Sequence, residues 1–190
     1  MSPELYLAAP ADLDAATLYR ILRLRVDVFV VEQQCPYPEL DGRDLEPGTR
    51  WLWAADGGQV LATLRILRED ARTARIGRVA TARSARSTGI ATLLMRRALD
   101  ILDSQPEGGL TVVLDAQSPL AGWYQRFGFE LAGAEFVEDG ISHLPMRRPS
   151  PAGPRDHHHL ARQADHGLFP ARDVTEYAPK SKDDVSRRNL

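Results

Sequence analysis

Apolar positions along this chain change period several times, and each change marks an element. Glu4 to Ala8 can form a first strand. Leu18, Ile21, Leu22, Arg25, Val28 and Phe29 then fall three and four apart. That spacing predicts a helix, capped by Asp12 or Asp14 and running to about Val31. Periodicity is lost over residues 32–50, which hold three prolines, two glycines and several acids. This stretch reads as irregular, with room for one short helical turn. Trp51–Ala55 and Val60–Leu67 flank Asp56-Gly57-Gly58, a hairpin signal. Arg75–Thr81 follows as a strand, then a loop over 82–90. Leu93, Leu94, Arg97, Ala98 and Ile101 mark a helix ending at Leu102.

The last third repeats the alternation. Leu110 to Leu114 is an apolar run that predicts a buried strand over 110–115. Ser118 can cap a helix over 118–127, with Pro119 in its first turn and Gly128 as its stop. Its apolar residues Leu120, Trp123, Tyr124 and Phe127 lie at helical spacing. A strand over 129–137 and a short one near His143–Arg147 complete a mixed α+β order. From Pro149 onward prolines and polar residues dominate, and the apolar residues are too scattered to bury much area. The chain thus divides into a domain over 1–148 and a disordered tail over 149–190. His157, His158 and His159 are adjacent rather than spaced as ligands, so no metal site is expected.

Composition narrows the function classes. A hydrophobic share of 43% and a charged share of 26% are ordinary for a soluble domain. A net charge of −2 gives no general attraction to nucleic acid or to an anionic membrane. No apolar run approaches the roughly 20 residues of a membrane helix, and the N-terminus carries no secretory pattern. The single cysteine, Cys35, cannot form an internal disulfide, which fits a cytoplasmic location. The only lysines are Lys180 and Lys182, and residues 1–148 hold 17 arginines against 20 acids. The arginine excess is read as genomic base bias.

The stretch Arg86-Ser87-Thr88-Gly89-Ile90-Ala91 carries the first chemistry. It joins a predicted strand to a predicted helix. Helix-start N–H groups lack intrahelical partners, and the helix dipole adds positive potential there. Such a place suits a phosphate or diphosphate. Gly89 permits close approach or a positive φ, and Arg86 adds a fork of donors.

This loop and the later Trp123-Tyr124…Gly128-Phe129 together resemble the GNAT family of acyl-CoA-dependent N-acyltransferases. Arg86, Gly89 and Ala91 match the family's phosphate-loop pattern in register. Val28–Tyr37, Asp41–Leu45, Ile76–Val79 and Glu138–His143 are similar to its ElaA-like branch, so the likeness spans roughly residues 5–148. That branch often has Gly directly after the motif Arg, where this chain has Ser87.

The resemblance implies a central mixed sheet, flanked by helices and splayed where acyl-CoA enters. The pantetheine would pair with the backbone of the strand ending at Val79–Thr81. The diphosphate would lie on Arg86, Ser87, Thr88, Gly89, Ile90 and Ala91, and Gln117 would contact the cofactor. Tyr124 is the implied general acid for the departing thiolate. The base is open between Glu32 and His143, because Ile76-Gly77-Arg78-Val79 has no carboxylate. Asp41 and Asp44 are candidates to attract a cationic amine. The expected activity is acetyl transfer from acetyl-CoA to a small-molecule or peptide amine, with a homodimer possible. Two alternatives stay open: transfer of a longer acyl chain, with Trp51 and Trp53 lining its pocket, and a non-catalytic acyl-CoA-binding module.

Overall fold

A computed structural model describes residues 3–105 and 108–151. Its strands are β1 (Glu4–Ala8), β2 (Arg50–Asp56), β3 (Gln59–Arg68), β4 (Thr73–Thr81), β5 (Thr111–Gln117), β6 (Glu130–Leu131), β7 (Phe136–Glu138) and β8 (Ile141–Arg148). They form one sheet in the order β1-β2-β3-β4-β5-β8-β6, with β7 also paired to β8. Only β4 and β5 run parallel. The helices are α1 (Ala15–Val26), α2 (Ile90–Asp103) and α3 (Ala121–Gln125).

Alternation along the strands sorts side chains to two faces. On one face Leu52, Leu64 and Ile76 pack against Leu94, Met95 and Leu102 of α2. On the other, Trp51, Trp53 and Ala80 pack against Ile21, Leu24 and Val28. The result is an α–β–α sandwich. Because both its faces are covered, β3 reads as a nearly unbroken apolar run.

Asp14 starts α1, its carboxylate accepting from the N–H groups of Ala16 and Thr17 at 2.9 Å. Such a cap contributes about 1 kcal/mol. The helical run continues to Glu32, as the periodicity predicts, but residues 27–32 widen into a π-helix. There Gln33 N–H donates five residues back to Val28 C=O at 3.2 Å. The run Val28-Phe29-Val30-Val31 is rich in β-branched residues, which weaken the regular α form.

Two expectations need correction. The helix over 118–127 is only α3 plus a preceding 3₁₀ turn at Ser118–Leu120. Ser118 makes no cap bond; its hydroxyl donates to Glu135 instead. The strand over 129–137 is two short strands, β6 and β7, and β8 is longer than expected. The missed signal is Asp139-Gly140, whose φ values of 50° and 79° make the tight hairpin turn between β7 and β8.

Candidate active site

β4 and β5 pair only at Thr73–Thr111, Ala74–Val112 and Arg75–Val113. Beyond that point β4 continues to Thr81 and β5 to Gln117, and the two strands part. The other edge of β4 stays on β3 through a bulge: Thr63 to Arg65 on β3 spans Ala80 to Gly77 on β4. Arg78, inside the bulge, has φ 53°. The edge of β4 facing the gap therefore leaves a row of backbone groups without a sheet neighbour.

At the end of β4 the chain makes a 3₁₀ turn at Arg83–Ala85 and enters α2 through residues 86–89. No side chain caps α2. Ser87, Thr88 and Gly89 are exposed around its first turn. Gly89 has φ 87°, the left-handed region where glycine is at ease. Ser87 has φ 62°, which gives a physical reason for the glycine often found there in the ElaA-like branch. Thr88 Oγ1 donates to Ala85 C=O at 2.7 Å and braces the loop.

Arg86 and Glu32 meet here as a two-point ion pair, at 2.7 and 2.9 Å. The Arg86 guanidinium holds the Glu32 carboxyl below the usual range. In this arrangement Glu32 is a poor proton acceptor near neutral pH. Arg86 Nε also donates to Thr81 C=O at 3.3 Å, so the guanidinium is anchored to the end of β4.

Gln117, at the tip of β5, stands opposite His143 of β8 in register, and His143 stands opposite Phe136 of β7. Gln117 exchanges carboxamide hydrogen bonds with Gln33, each 3.2 Å. His143 stacks on Phe136 with ring centroids 5.6 Å apart. Its Nδ1 lies 2.9 Å from Ile141 C=O. A carbonyl can only accept, so that contact assigns a proton to Nδ1, and in the neutral ring the lone pair is then on Nε2. Tyr124 is 7% exposed. It meets Trp123 and Phe129 edge-on, at 4.8 and 6.0 Å. Burial pushes its phenol up to about 12.

Asp41 and Asp44 do not stand as free attractors for an amine. With Glu39 they meet three guanidiniums, those of Arg25, Arg65 and Arg78. Arg25 is 1% exposed. It grips Glu39 at 2.6 and 2.7 Å and Asp44 at 2.7 and 3.1 Å. Arg65 grips Asp41 at 2.7 and 2.8 Å and reaches Asp44 at 3.0 Å. Arg78 reaches Asp41 at 3.0 Å and Glu39 at 3.3 Å, and lies over the Tyr37 ring at 5.5 Å. Partial burial alone would raise the Asp41 carboxyl, but the Arg65 fork and Arg78 outweigh it and bring it down to about 2. The cluster pins the irregular segment onto β3 and β4. Its sequence signal is Arg25 itself, a cation placed on the apolar face of α1.

Trp51 and Trp53 do not line the gap. They lie on β2, beneath Arg25 and against Tyr6 respectively, two strands from β4. A separate concavity of about 360 Å³ opens beside Tyr6, Trp53 and Arg20, away from the β4–β5 gap. Among the described residues no cluster of three or more His, Cys, Asp or Glu could hold a metal ion. His157, His158 and His159, and the tail from residue 152 onward, lie outside the described residues.

A mixed sheet that parts between β4 and β5, with an uncapped helix start below the gap, is the scaffold of acyl-CoA N-acyltransferases. Residues 23–149 match the acetyltransferase (GNAT) domain family. A UPF0039 protein of Mycobacterium tuberculosis is 48% identical over 142 residues, 73% of this chain and 88% of that protein. The crystal structure of an acyl-CoA N-acyltransferase from Pseudomonas aeruginosa is 41% identical with a TM-score of 0.72, covering 77% of this chain and 99% of that one. Escherichia coli ElaA is similar too: its crystal structure is 34% identical with a TM-score of 0.71, over 77% of this chain and 99% of that one. The chain belongs to the GNAT acetyltransferase family, in its ElaA-like branch.

Proposed function

We propose that this protein is an acetyl-CoA-dependent N-acetyltransferase that acts on a primary amine. The observation that carries the reading is the gap between β4 and β5, ending at an exposed, uncapped helix start beside Arg86. Unpaired backbone groups of β4 near Val79 and Thr81 can pair with the amides of a pantetheine arm as an added strand would. The α2 start and Arg86 supply donors for a diphosphate. His143 Nε2, with Nδ1–H held by Ile141, takes the proton that an ammonium acceptor must lose before its nitrogen attacks the thioester carbon. As that C–S bond breaks, Tyr124 gives its proton to the thiolate sulfur and recovers one as the new amide nitrogen loses its excess proton to solvent. Trp51 and Trp53 lie away from the gap and lend no support to a longer acyl chain. The free, buried Cys35 and the absence, among the described residues, of any helix long and apolar enough to cross a membrane accord with work in the cytoplasm.

The test is release of CoA thiol from acetyl-CoA across a panel of polyamines, amino sugars and peptide amines. Amine-dependent release is expected for at least one class. Binding of CoA without release for any amine would favour a non-catalytic module. Gly89→Asp is the matched control. It places a side chain in the left-handed region and a negative charge in the cradle, and should abolish most CoA binding, read by calorimetry. A folded Gly89→Asp protein with undiminished CoA affinity would falsify the cradle.

A further inference from the structure

Side chains at and just past the end of the π-helix that follows α1 reach three different walls of the gap. Glu32 pairs with Arg86 of the phosphate loop, 54 positions away in sequence. Gln33 pairs with Gln117 at the tip of β5, 84 away. Cys35 Sγ donates to Asp139 C=O in the β7–β8 turn at 3.2 Å, 104 away. Between them Gln34 takes φ 52°, two residues past the end of the π-helix. Residues 32–35 thus form a strap across the gap. π-helical turns of this kind recur at functional sites.

Two of the strap's contacts use the chemistry an acyl-CoA would bring. A carboxylate on the Arg86 guanidinium has the geometry of a diphosphate on the same fork. A carboxamide on Gln117 has the donor and acceptor set of a pantetheine amide. We propose that the strap is a built-in competitor of acyl-CoA, and that Glu32 holds the place of the diphosphate on Arg86 until the cofactor displaces it. The inference rests on the acyl-CoA reading above. Arg86 is poised for the exchange because Thr81 C=O holds Nε independently of Glu32. Once displaced, the Glu32 carboxylate faces a diphosphate of like charge and is driven away, which opens the strap. The cofactor's affinity is thereby reduced by whatever the Glu32–Arg86 pair is worth, and Glu32 sets that tax.

Calorimetry on the full-length protein tests this, with CoA and with pantetheine, which lacks the diphosphate. Glu32 and Arg86 are both 38% exposed at their side chains, so Glu32→Gln is expected to fold. It should bind CoA about three- to tenfold more tightly than wild type, as loss of an exposed competing pair and of like-charge repulsion allows. Pantetheine affinity should rise by clearly less, since the Gln33–Gln117 contact stays in place. The CoA gain should shrink between about 50 mM and about 500 mM salt, and should vanish in an Arg86→Gln background. Unchanged or weaker CoA binding by Glu32→Gln overturns the inference, as does an equal gain with pantetheine. Absence of CoA binding in wild type and variant alike overturns the acyl-CoA reading itself, and this inference with it.

Discussion

Tyr124→Phe separates chemistry from packing more cleanly than any other change at this site. It removes one oxygen from a ring that is 7% exposed, and that hydroxyl makes no hydrogen bond among the described residues. No pairing is lost and the edge-on contacts with Trp123 and Phe129 persist, so stability should change by less than about 0.5 kcal/mol. Burial holds the phenol at about 12, against roughly 8.5 for a thiol in water. Complete transfer to a solvated thiolate would therefore be uphill by about 3.5 units, on the order of 5 kcal/mol. The gap narrows inside the cleft, since desolvation raises the thiol as well. Tyr124 can thus act only in step with C–S cleavage, where negative charge is growing on sulfur. General acid catalysis of that kind contributes at least about 10²-fold, or about 2.7 kcal/mol of barrier. The assay is acetyl-CoA turnover with a saturating amine, alongside CoA affinity and a thermal melt. A kcat loss of about 10²-fold is expected, with CoA affinity and Tm nearly unchanged. An acid with its folded-state value raised stays protonated below that value, so Tyr124 should add no alkaline fall in kcat below about pH 11. Full kcat in Tyr124→Phe, with chemistry rate-limiting, would refute the role.

Two further predictions concern the ion cluster. Arg25→Met removes the cation that grips both carboxylate oxygens of Glu39, whose side chain is 2% exposed, and leaves that carboxylate only the longer Arg78 contact. The change should cost about 3–5 kcal/mol. That corresponds to a Tm lower by about 10 °C or more, and a loss under about 1 kcal/mol in a thermal melt would contradict the burial argument. The second is acid sensitivity at Asp41. Its depressed carboxyl lends stability that is full above the ordinary value of 3.8 and drains away as pH falls toward about 2. Screening at a part-exposed group limits this to about 1–2 kcal/mol; urea titrations at pH 6, 4 and 2.5 should show Asp41→Asn with a shallower acid loss than wild type.

The fold was largely legible because hydrophobic period reports directly on which faces are covered. The hairpin at Asp56-Gly57-Gly58 and the strand–loop–helix at residues 75–102 both follow from period and turn chemistry. Elements too short for a period escaped. β6 holds two residues and β7 three, so only the Asp139-Gly140 turn could have announced the hairpin. The strand end and helix start around Arg86 were legible because they are local, lying within ten residues of each other. The strap was not, since Glu32, Gln33 and Cys35 find partners that sequence places far away.

The acidic segment shows most plainly what local reading cannot supply. Asp41 and Asp44 look like an attractor for cations when read along the chain. In space they and Glu39 meet guanidiniums contributed by α1, β3 and β4, each acid touching two of them, and three acids balance three arginines. A balanced cluster has little field beyond a few ångströms, and what remains is screened within a Debye length. Steering of a polycationic amine from a distance is therefore not a property of this segment. On the proposed activity, selection of the acceptor would be left to short-range groups such as the His143 imidazole, stacked on Phe136. Shape and hydrogen bonding then decide which amine is accepted, and its rate of capture should depend only weakly on salt.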